Sequence, residues 1–574
     1  MHFTDLVGVC HCGVVSQQES RRRGGELFAD GGPDGLIARG FMRGGGVSAE
    51  GVRRWPVIGI ANTWSELNPC NGGLRELAAH VKRGVVAAGG FPVEFPTISL
   101  AEAFVRPSSM YLRNLLAMDT EEMVLASPID GVVLLGGCDK TLPAQLMGAA
   151  SAGKPAIALG AGPRPVSTWD GRPMTVEQLW PLIDERRAGR LDDDGWARLE
   201  SCLSCGVGTC NVMGTAVSMA VVAEVVGMAL PGTALVPAGS ERRVVAAELT
   251  GRRAVELARG GVAPSRVITG ASLRNAFRVL CAVGGSTNVL IHLQAIAGRL
   301  GLHLDVEELR AISDSTPLLA DVKPSGDGLL DELDGDGGVP ALMGRLSELA
   351  DLDTAAGDGR PWREVVVEGG SRRLGTVGEP VGAAGALALL SGSLAPDGAV
   401  LKRSAASSHL VRHRGRAVMF DGVADLNARI DDPELVVDES SVLVLRGAGP
   451  VGGPGMPEVG HLPIPRKLLE RGVTDLVRVS DARMSGTASG TVVLHVAPEA
   501  AVGGPLALVR DGDWIELDVE ESRIDLLVDP VELAGRVPWP GPVTVARGFE
   551  RLYREHVMQA DQGCDFDFLV VERG

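Results

Sequence analysis

The stretch from Ile129 to Pro143, IDGVVLLGGCDKTLP, decides the fold. Val132 to Leu135 form a short, continuous apolar run closed by Gly136 and Gly137, the pattern of a buried strand rather than a helix. Directly after the glycines come Cys138, Asp139 and Lys140: a soft thiol, a hard carboxylate and an amine at the carboxyl end of that strand. In open α/β sheets this edge is where ligands bind. A strand that merely ends in polar turn residues is the ordinary reading of a lone Cys-Asp-Lys. It loses here because two further segments supply matching groups.

Outward from this stretch, strand-like and helix-like text alternates. VIGIA, Val57 to Ala61, reads as a first strand; Leu74, Leu77, Val81 and Val85 follow at helical spacing, which places Cys70 in the connecting loop. EFPTISLAE and a helical stretch through Met123 make a second unit, the Cys138 stretch a third, and AIALG, Ala156 to Gly160, a fourth. This alternation predicts an α/β fold with a parallel sheet and helices on both faces. From about Glu200 to Leu300 the pattern is largely helical, broken by Gly284-Gly285-Ser286-Thr287-Asn288, and Cys281 in its apolar context reads as core. The Gly- and Asp-rich piece from Asp321 to Gly338 reads as a surface loop whose acids miss the calcium-loop spacing. Beyond about residue 385, short runs (SVLVLR, DLVRVS, TVVLHV, WIELDV, IDLLV) separated by Gly and Pro predict a smaller β-barrel or sandwich. The chain thus divides into a loosely structured leader (1–54), an α/β domain (55–385) and a β-rich C-terminal domain (386–574).

With 574 residues the chain has room for two or more full-sized cores. A net charge of -17 argues against nucleic acid or an anionic membrane as partner, and the one Arg run, Arg21 to Arg23, reads as solvated. The longest apolar stretch, around Val217 to Leu230, is interrupted by Glu224 and stopped by Pro231, so it reads as a core helix rather than a membrane span. The opening MHFTDLVGVCHCG lacks a basic segment followed by an apolar one, and a cytoplasmic protein is expected. In that reducing compartment nine cysteines are no disulfide framework.

One motif is set aside. SVLVLR runs into Gly447-Ala448-Gly449-Pro450-Val451-Gly452, formally a dinucleotide fingerprint, but Pro450, Pro454 and Pro457 block the helix whose N-terminus would face a pyrophosphate. The residue of interest in that loop is Glu458.

Three cysteines lie in loops of small residues: Cys70 in NPCNG, Cys138 in GGCDK and Cys210 in GVGTCNVMGTA. Such loops let backbone amides approach sulfur, as an iron-sulfur cluster requires, and three thiolates rather than four leave one iron open. Beside them stand hard oxygen donors, Glu102, Asp139 and Glu458, which suit Mg²⁺.

The sequence here closely resembles the dihydroxy-acid and sugar-acid dehydratase family, from Pro56 to Leu569. The resemblance is carried by NTWSELNPC, GGFPVEFPTISLAE, MYLRNLLAMDTEEM, DGVVLLGGCDKTLPAQLMGA, GTCNVMGTA, GGSTN, GAVLKRSAAS, GPGMPEVG and VSDARMSGTASGTVVLHVAPEAA. The wording of LLAMDTEEM, DGVVLLGGCDKT and the tail HVMQADQGCDFDFL is closer to the sugar-acid branch than to the branched-chain amino-acid branch. The resemblance implies a 2Fe-2S cluster on Cys70, Cys138 and Cys210, and Mg²⁺ on Glu102, Asp139, Glu458 and a carbamylated Lys140. Carbamylation would follow if desolvation lowers the lysine pKa and leaves a neutral amine to capture carbon dioxide. It further implies removal of water from a 2,3-dihydroxy carboxylate to give a 2-keto-3-deoxy acid, with Ser485 as the base and Thr487 beside it. The expected partner is a small sugar acid, and the expected assembly a homodimer or homotetramer. Asn71 stands where sugar-acid members commonly have His, Ala101 where Gly is usual, and Cys202 and Cys205 form a C-x2-C pair foreign to the family's wording. Two other readings remain at this point: a branched-chain dihydroxy-acid dehydratase, and a non-catalytic metal sensor built on Cys10, Cys202 and Cys205.

Overall fold

A computed structural model describes residues 23–542 and 545–571; Cys10, His11 and Cys12 lie outside the described residues. From residue 23 the leader is not loose. It forms α1 (Arg23–Ala29), α2 (Pro33–Gly44) and α3 (Ala49–Arg54), which bury Phe28 and Val52 in the main core. These helices are short and bury few residues, so they leave almost no periodic trace.

The four expected strands form one parallel sheet: β1 (Val57–Asn62), β2 (Phe91–Pro96), β3 (Gly131–Gly136) and β4 (Ala156–Gly160), in the order β2-β1-β3-β4. Between them run α4 (Leu74–Ala87), α5 (Arg113–Ala126) and α6 (Thr141–Ala152). Alternation along each strand divides the side chains between two cores. Ile58, Ile60, Val133 and Leu135 face Leu77 and Val81 of α4. Val57, Val132 and Leu134 face Leu116 of α5 and Met147 of α6. Helices therefore cover both faces, as the apolar continuity of VVLL requires.

After β4 a hairpin, β5 (Ser167–Trp169) and β6 (Arg172–Met174), leads to α7 (Leu179–Arg187) and α8 (Asp193–Cys202). The helical region follows with α9 (Thr215–Val225), α10 (Glu241–Gly260), α11 (Gly270–Ala282) and α12 (Asn288–Arg299). Val255 of α10 joins α4 on one sheet face, and α9 packs on the other, burying Glu224 and the whole apolar stretch around it. Among the described residues no helix is long and apolar enough to cross a membrane. Asp321 to Gly338 is not simply a surface loop: Leu330–Gly335 is helical, with Leu330 and Leu333 buried. A two-stranded pair, β7 (Pro317–Leu318) and β8 (Gly382–Ala384), closes this part.

The β-rich text forms a closed barrel rather than a sandwich, from β9 (Ala388–Gly392), β10 (Ala395–Leu401), β11 (Arg412–Asp421), β12 (Val442–Arg446), β13 (Val477–Ser480), β14 (Val492–Ala497), β15 (Trp514–Asp518) and β16 (Arg523–Leu526). Strands β11 to β14 run parallel, and β16 returns to β9 to close the ring. Leu390, Leu401, Val444, Val479 and Ile515 fill the interior, whereas Val400, Met484, Val492 and Leu494 point outward into the core shared with α9 and α12. Barrel and sheet are thus joined through a continuous apolar contact. The tail is fixed by Arg299, which makes a two-pronged ion pair with Asp565 at 2.5 and 3.1 Å, both side chains fully buried.

Candidate active site

Each parallel strand delivers one group of the site just past its carboxyl end. Cys70 follows β1, Glu102 follows β2, Cys138 to Lys140 follow β3, and Arg164 follows β4. The order β2-β1-β3-β4 reverses between β1 and β3, the crevice where such sheets bind ligands. Gly137 is required there: a Cβ on it would lie 2.6 Å from Ala161 Cβ and 3.0 Å from Cys70 O. The Cys70 and Cys138 loops approach each other only because it has none.

The barrel supplies the opposite wall. Glu458 lies in the loop after β12, and Ser485 and Thr487 in the loop between β13 and β14. Cys70, Glu102, Cys138, Asp139, Cys210, Glu458, Ser485 and Thr487 all line one cavity of about 450 Å³. Lys140 stands behind that wall, fully buried. Gly486 seats the serine turn on the start of α9, where a Cβ would come within 2.7 Å of Thr215 N, Thr215 Oγ1 and Ser286 Oγ.

The carboxylates of Glu102, Asp139 and Glu458 each place an oxygen within 4.8 Å of the others. Lys140 Nζ sits at their centre, in contact with Asp139, 3.4 Å from Glu458 Oε1 and 3.7 Å from Glu102 Oε2. The expectation of a lowered Lys140 pKa is corrected here. Burial and Arg483 do push it down, but Asp139, Glu458 and Glu102 more than offset them and the ammonium form is favoured. Burial also opposes the Asp139 carboxylate, yet Lys140 holds its pKa below the usual range. Burial pushes the Glu458 carboxyl up to about 7.

Three residues that the sequence reading did not assign hold these carboxylates. Arg483, fully buried, donates from Nη1 to Glu458 Oε1 at 2.9 Å, from Nε to Met456 O at 2.8 Å and from Nη2 to Ser108 Oγ at 3.0 Å. Asn288 Nδ2 donates to Glu458 Oε1, Thr215 Oγ1 and Met484 O, each at 3.1 Å. Ser109 donates to Glu102 from its backbone N–H at 3.1 Å and from its hydroxyl. Asn288 was visible in the GGSTN motif and Arg483 beside the serine in ARMSG, but neither motif reveals its partner.

The thiols differ in character. A hydrogen bond with Cys138 lowers the Cys70 pKa, aided by the Arg164 guanidinium, whose Nη2 lies 3.5 Å from Cys70 Sγ. The same hydrogen bond and burial raise Cys138, and burial pushes Cys210 up to about 12. Cys202 and Cys205 do not line the cavity. Their sulfurs face the backbone oxygens of Arg198, at 3.2 Å, and Pro165, at 3.7 Å.

Ser485 Oγ lies 2.8 Å from Thr487 Oγ1, and the Thr487 N–H donates to Ser485 Oγ at 3.3 Å. The remaining lining is mostly apolar: Ala103, Phe104, Val176, Leu179 and Leu203 form the outer wall, and Arg164 is the one cationic side chain among the lining residues.

Residues 55–365 match the family domain described as dihydroxy-acid/6-phosphogluconate dehydratase N-terminal, and residues 374–564 match its C-terminal counterpart. An L-arabonate dehydratase from Azospirillum brasilense is 47% identical over 575 residues, covering 98% of this chain and 99% of its own. A 6-deoxy-6-sulfo-D-gluconate dehydratase from Pseudomonas putida is 46% identical over 526 residues, 90% of each chain. A dihydroxy-acid dehydratase from Ignicoccus hospitalis is 37% identical over 553 residues, 93% of this chain and 98% of its own. With both matches in order along the α/β and barrel parts, the chain belongs to the dihydroxy-acid/6-phosphogluconate dehydratase family and is a hydro-lyase.

Proposed function

We propose that this chain removes water from a 2,3-dihydroxy sugar acid, a pentonate or hexonate, to give a 2-keto-3-deoxy acid. The observation that carries the reading is the cleft itself, where three converging carboxylates and three cysteines share one cavity with Ser485. The donor set fits the groups that the family implies. Hard oxygens gathered around the Lys140 ammonium suit Mg²⁺, for which that ammonium stands in as the cation. Soft thiols, three and no more among the lining residues, suit a 2Fe-2S cluster with one open position. Glu102, Asp139 and Glu458 would hold Mg²⁺ and Cys70, Cys138 and Cys210 the cluster; Lys140 would join the Mg²⁺ ligands as the carbamate, which needs the neutral amine and so a cation that first takes over the three carboxylate charges favouring the ammonium. Bound there, the two groups would supply Lewis acidity at the substrate carboxylate with its 2-hydroxyl and at the departing 3-hydroxyl.

The chain's own part is orientation and proton transfer. Ser485 Oγ, on the barrel wall, first gives up its own hydroxyl proton to solvent in the cleft and then, as the alkoxide, takes the proton from carbon 2, which is acidic only while the carboxylate end is held against the opposite wall. Arg483, Asn288 and Ser109 fix the carboxylates so that they need not reorganise during turnover.

The apolar outer wall favours a second reading. Phe104, Val176, Leu179 and Leu203 offer a polyol few hydrogen-bond partners, and a branched-chain dihydroxy acid would suit them. An anaerobic panel of aldonic acids and branched-chain 2,3-dihydroxy acids, assayed for the keto acid formed, separates the two. Faster turnover of a pentonate or hexonate is expected; preference for the branched-chain acid would overturn the sugar-acid reading.

A further inference from the structure

Trp180 lies in the first turn of α7 and has no part in the chemistry above, yet it touches the proposed base through one intermediary. Its indole Nε1–H donates to Thr487 Oγ1 at 3.0 Å, and Thr487 Oγ1 lies 2.8 Å from Ser485 Oγ. An indole nitrogen is a donor only. The Thr487 hydroxyl therefore accepts from Trp180, which keeps its single proton available to Ser485 Oγ. The Thr487 backbone N–H, at 3.3 Å, is the second donor to the same oxygen. Ser485 Oγ is an acceptor toward the Thr487 N–H, and once Ser485 has lost its own proton it is an acceptor toward the Thr487 hydroxyl as well.

We infer that Trp180 is a positioning residue for the base: it sets the direction of the chain from Trp180 through Thr487 to Ser485, so that the negative charge left on Ser485 Oγ when its own proton departs meets two donors already in place. A serine hydroxyl is a weak base, and donors aimed at its oxygen favour the charged form. The indole is held rigidly enough for this. It packs against the main core and lies 5.5 Å, ring to ring, from His461, which is itself tied to Ser489 O at 2.9 Å. The turn before its helix is tied by Glu177 to Lys323 at 2.8 Å, and the last residue of the helix by Arg187 to Asp431 at 2.7 Å. Thr487, 7% exposed, has little room to turn its hydroxyl elsewhere. Residues 307 apart in sequence are joined for this purpose. The inference rests on the reading of Ser485 as the base.

The test uses the anaerobically loaded enzyme, with iron, sulfide and Mg²⁺ measured for each variant. Trp180→Phe keeps an aromatic ring and deletes the donor that orients Thr487; kcat is expected to fall about tenfold, the worth of the one hydrogen bond from Thr487 to the charged Ser485 Oγ that is then no longer held, with KM within about twofold. Exchange of the carbon 2 proton with deuterated solvent should fall in step. Thr487→Val should lose at least as much, Thr487→Ser should stay near the parent, and Trp180→Phe with Thr487→Val should be no slower than Thr487→Val alone, because Trp180 acts through Thr487. A parental kcat in Trp180→Phe, or losses that multiply in the double variant, would overturn the inference. Thr487→Val against Thr487→Ser carries the same test without disturbing α7, and equal rates for the two would overturn it as well. Ser485→Ala separates the two levels: turnover near the parental rate in that variant sinks the assignment of the base, whereas the expected loss of roughly 10²–10⁴-fold leaves the relay to stand or fall on Trp180 and Thr487.

Discussion

Gly486→Ala tests whether the serine turn is held by contact with α9. The new Cβ would lie 2.7 Å from Thr215 N, Thr215 Oγ1 and Ser286 Oγ, roughly 0.7 Å inside ordinary contact. Thr215 N belongs to the first residue of a buried helix and does not yield, so the turn must retreat by about that amount and carry Ser485 with it. Overpacking of this kind costs typically 1–3 kcal/mol, about what a large domain tolerates without unfolding. Catalysis is more sensitive: a displacement of about 1 Å costs on the order of 10²-fold, so kcat should fall between about tenfold and 10²-fold. Anaerobic turnover at saturating substrate, metal analysis and a thermal melt on the same preparation provide the assay. A variant that melts slightly lower, holds its metals and turns over at the parental rate would show that contact with α9 does not set the position of Ser485.

Three further outcomes are expected. Cys70→Ser, Cys138→Ser and Cys210→Ser should each lose the cluster's visible absorption, while Cys202→Ser and Cys205→Ser keep it, their sulfurs lying off the cavity; loss in Cys205→Ser with retention in Cys210→Ser would refute the ligand set. Because burial raises the Glu458 carboxyl to about 7, the metal-free site carries a proton there at lower pH that must leave when a cation binds. Mg²⁺ affinity should therefore weaken as pH falls from about 8 to 6, and calorimetry in two buffers of different ionisation heat should find more protons released per ion at the lower pH; an equal count at both would count against Glu458 as a ligand. Asp565→Ala leaves Arg299 in a buried site with Glu121, at 2.9 Å, as its remaining ion-pair partner and Ser151 Oγ, at 3.1 Å, as a neutral acceptor, and should cost about 3–5 kcal/mol by denaturant unfolding; a loss under about 1 kcal/mol would mean the tail is held by other contacts.

The parallel sheet was legible because each strand obeys a local rule. VVLL is apolar on both sides, and the structure buries it on both faces. The loops that carry Cys70, Cys138 and Ser485 were legible for a similar reason, since glycines and small residues mark close backbone approach wherever they fall. The early helices were not legible: α1 to α3 are short, and their buried side chains are too few to set a period. Barrel and sandwich were indistinguishable because strand text is the same for both, and only the pairing of β16 with β9 closes the ring.

By itself the sequence determined the strands of the sheet, the family and the inventory of donors: three thiols, three carboxylates, a lysine and a serine. Their electrostatics were decided by tertiary structure. Desolvation alone predicts a depressed Lys140, but the fold surrounds it with Glu102, Asp139 and, from 318 residues away, Glu458, and the sum of those charges reverses the sign. Arg483 and Asn288 acquire their roles only when the barrel loops meet α12, and Trp180 only when α7 reaches Thr487. Periodicity and loop chemistry are properties of neighbours along the chain. Charge balance and hydrogen-bond direction belong to neighbours in space, which are fixed only once sheet and barrel share one core.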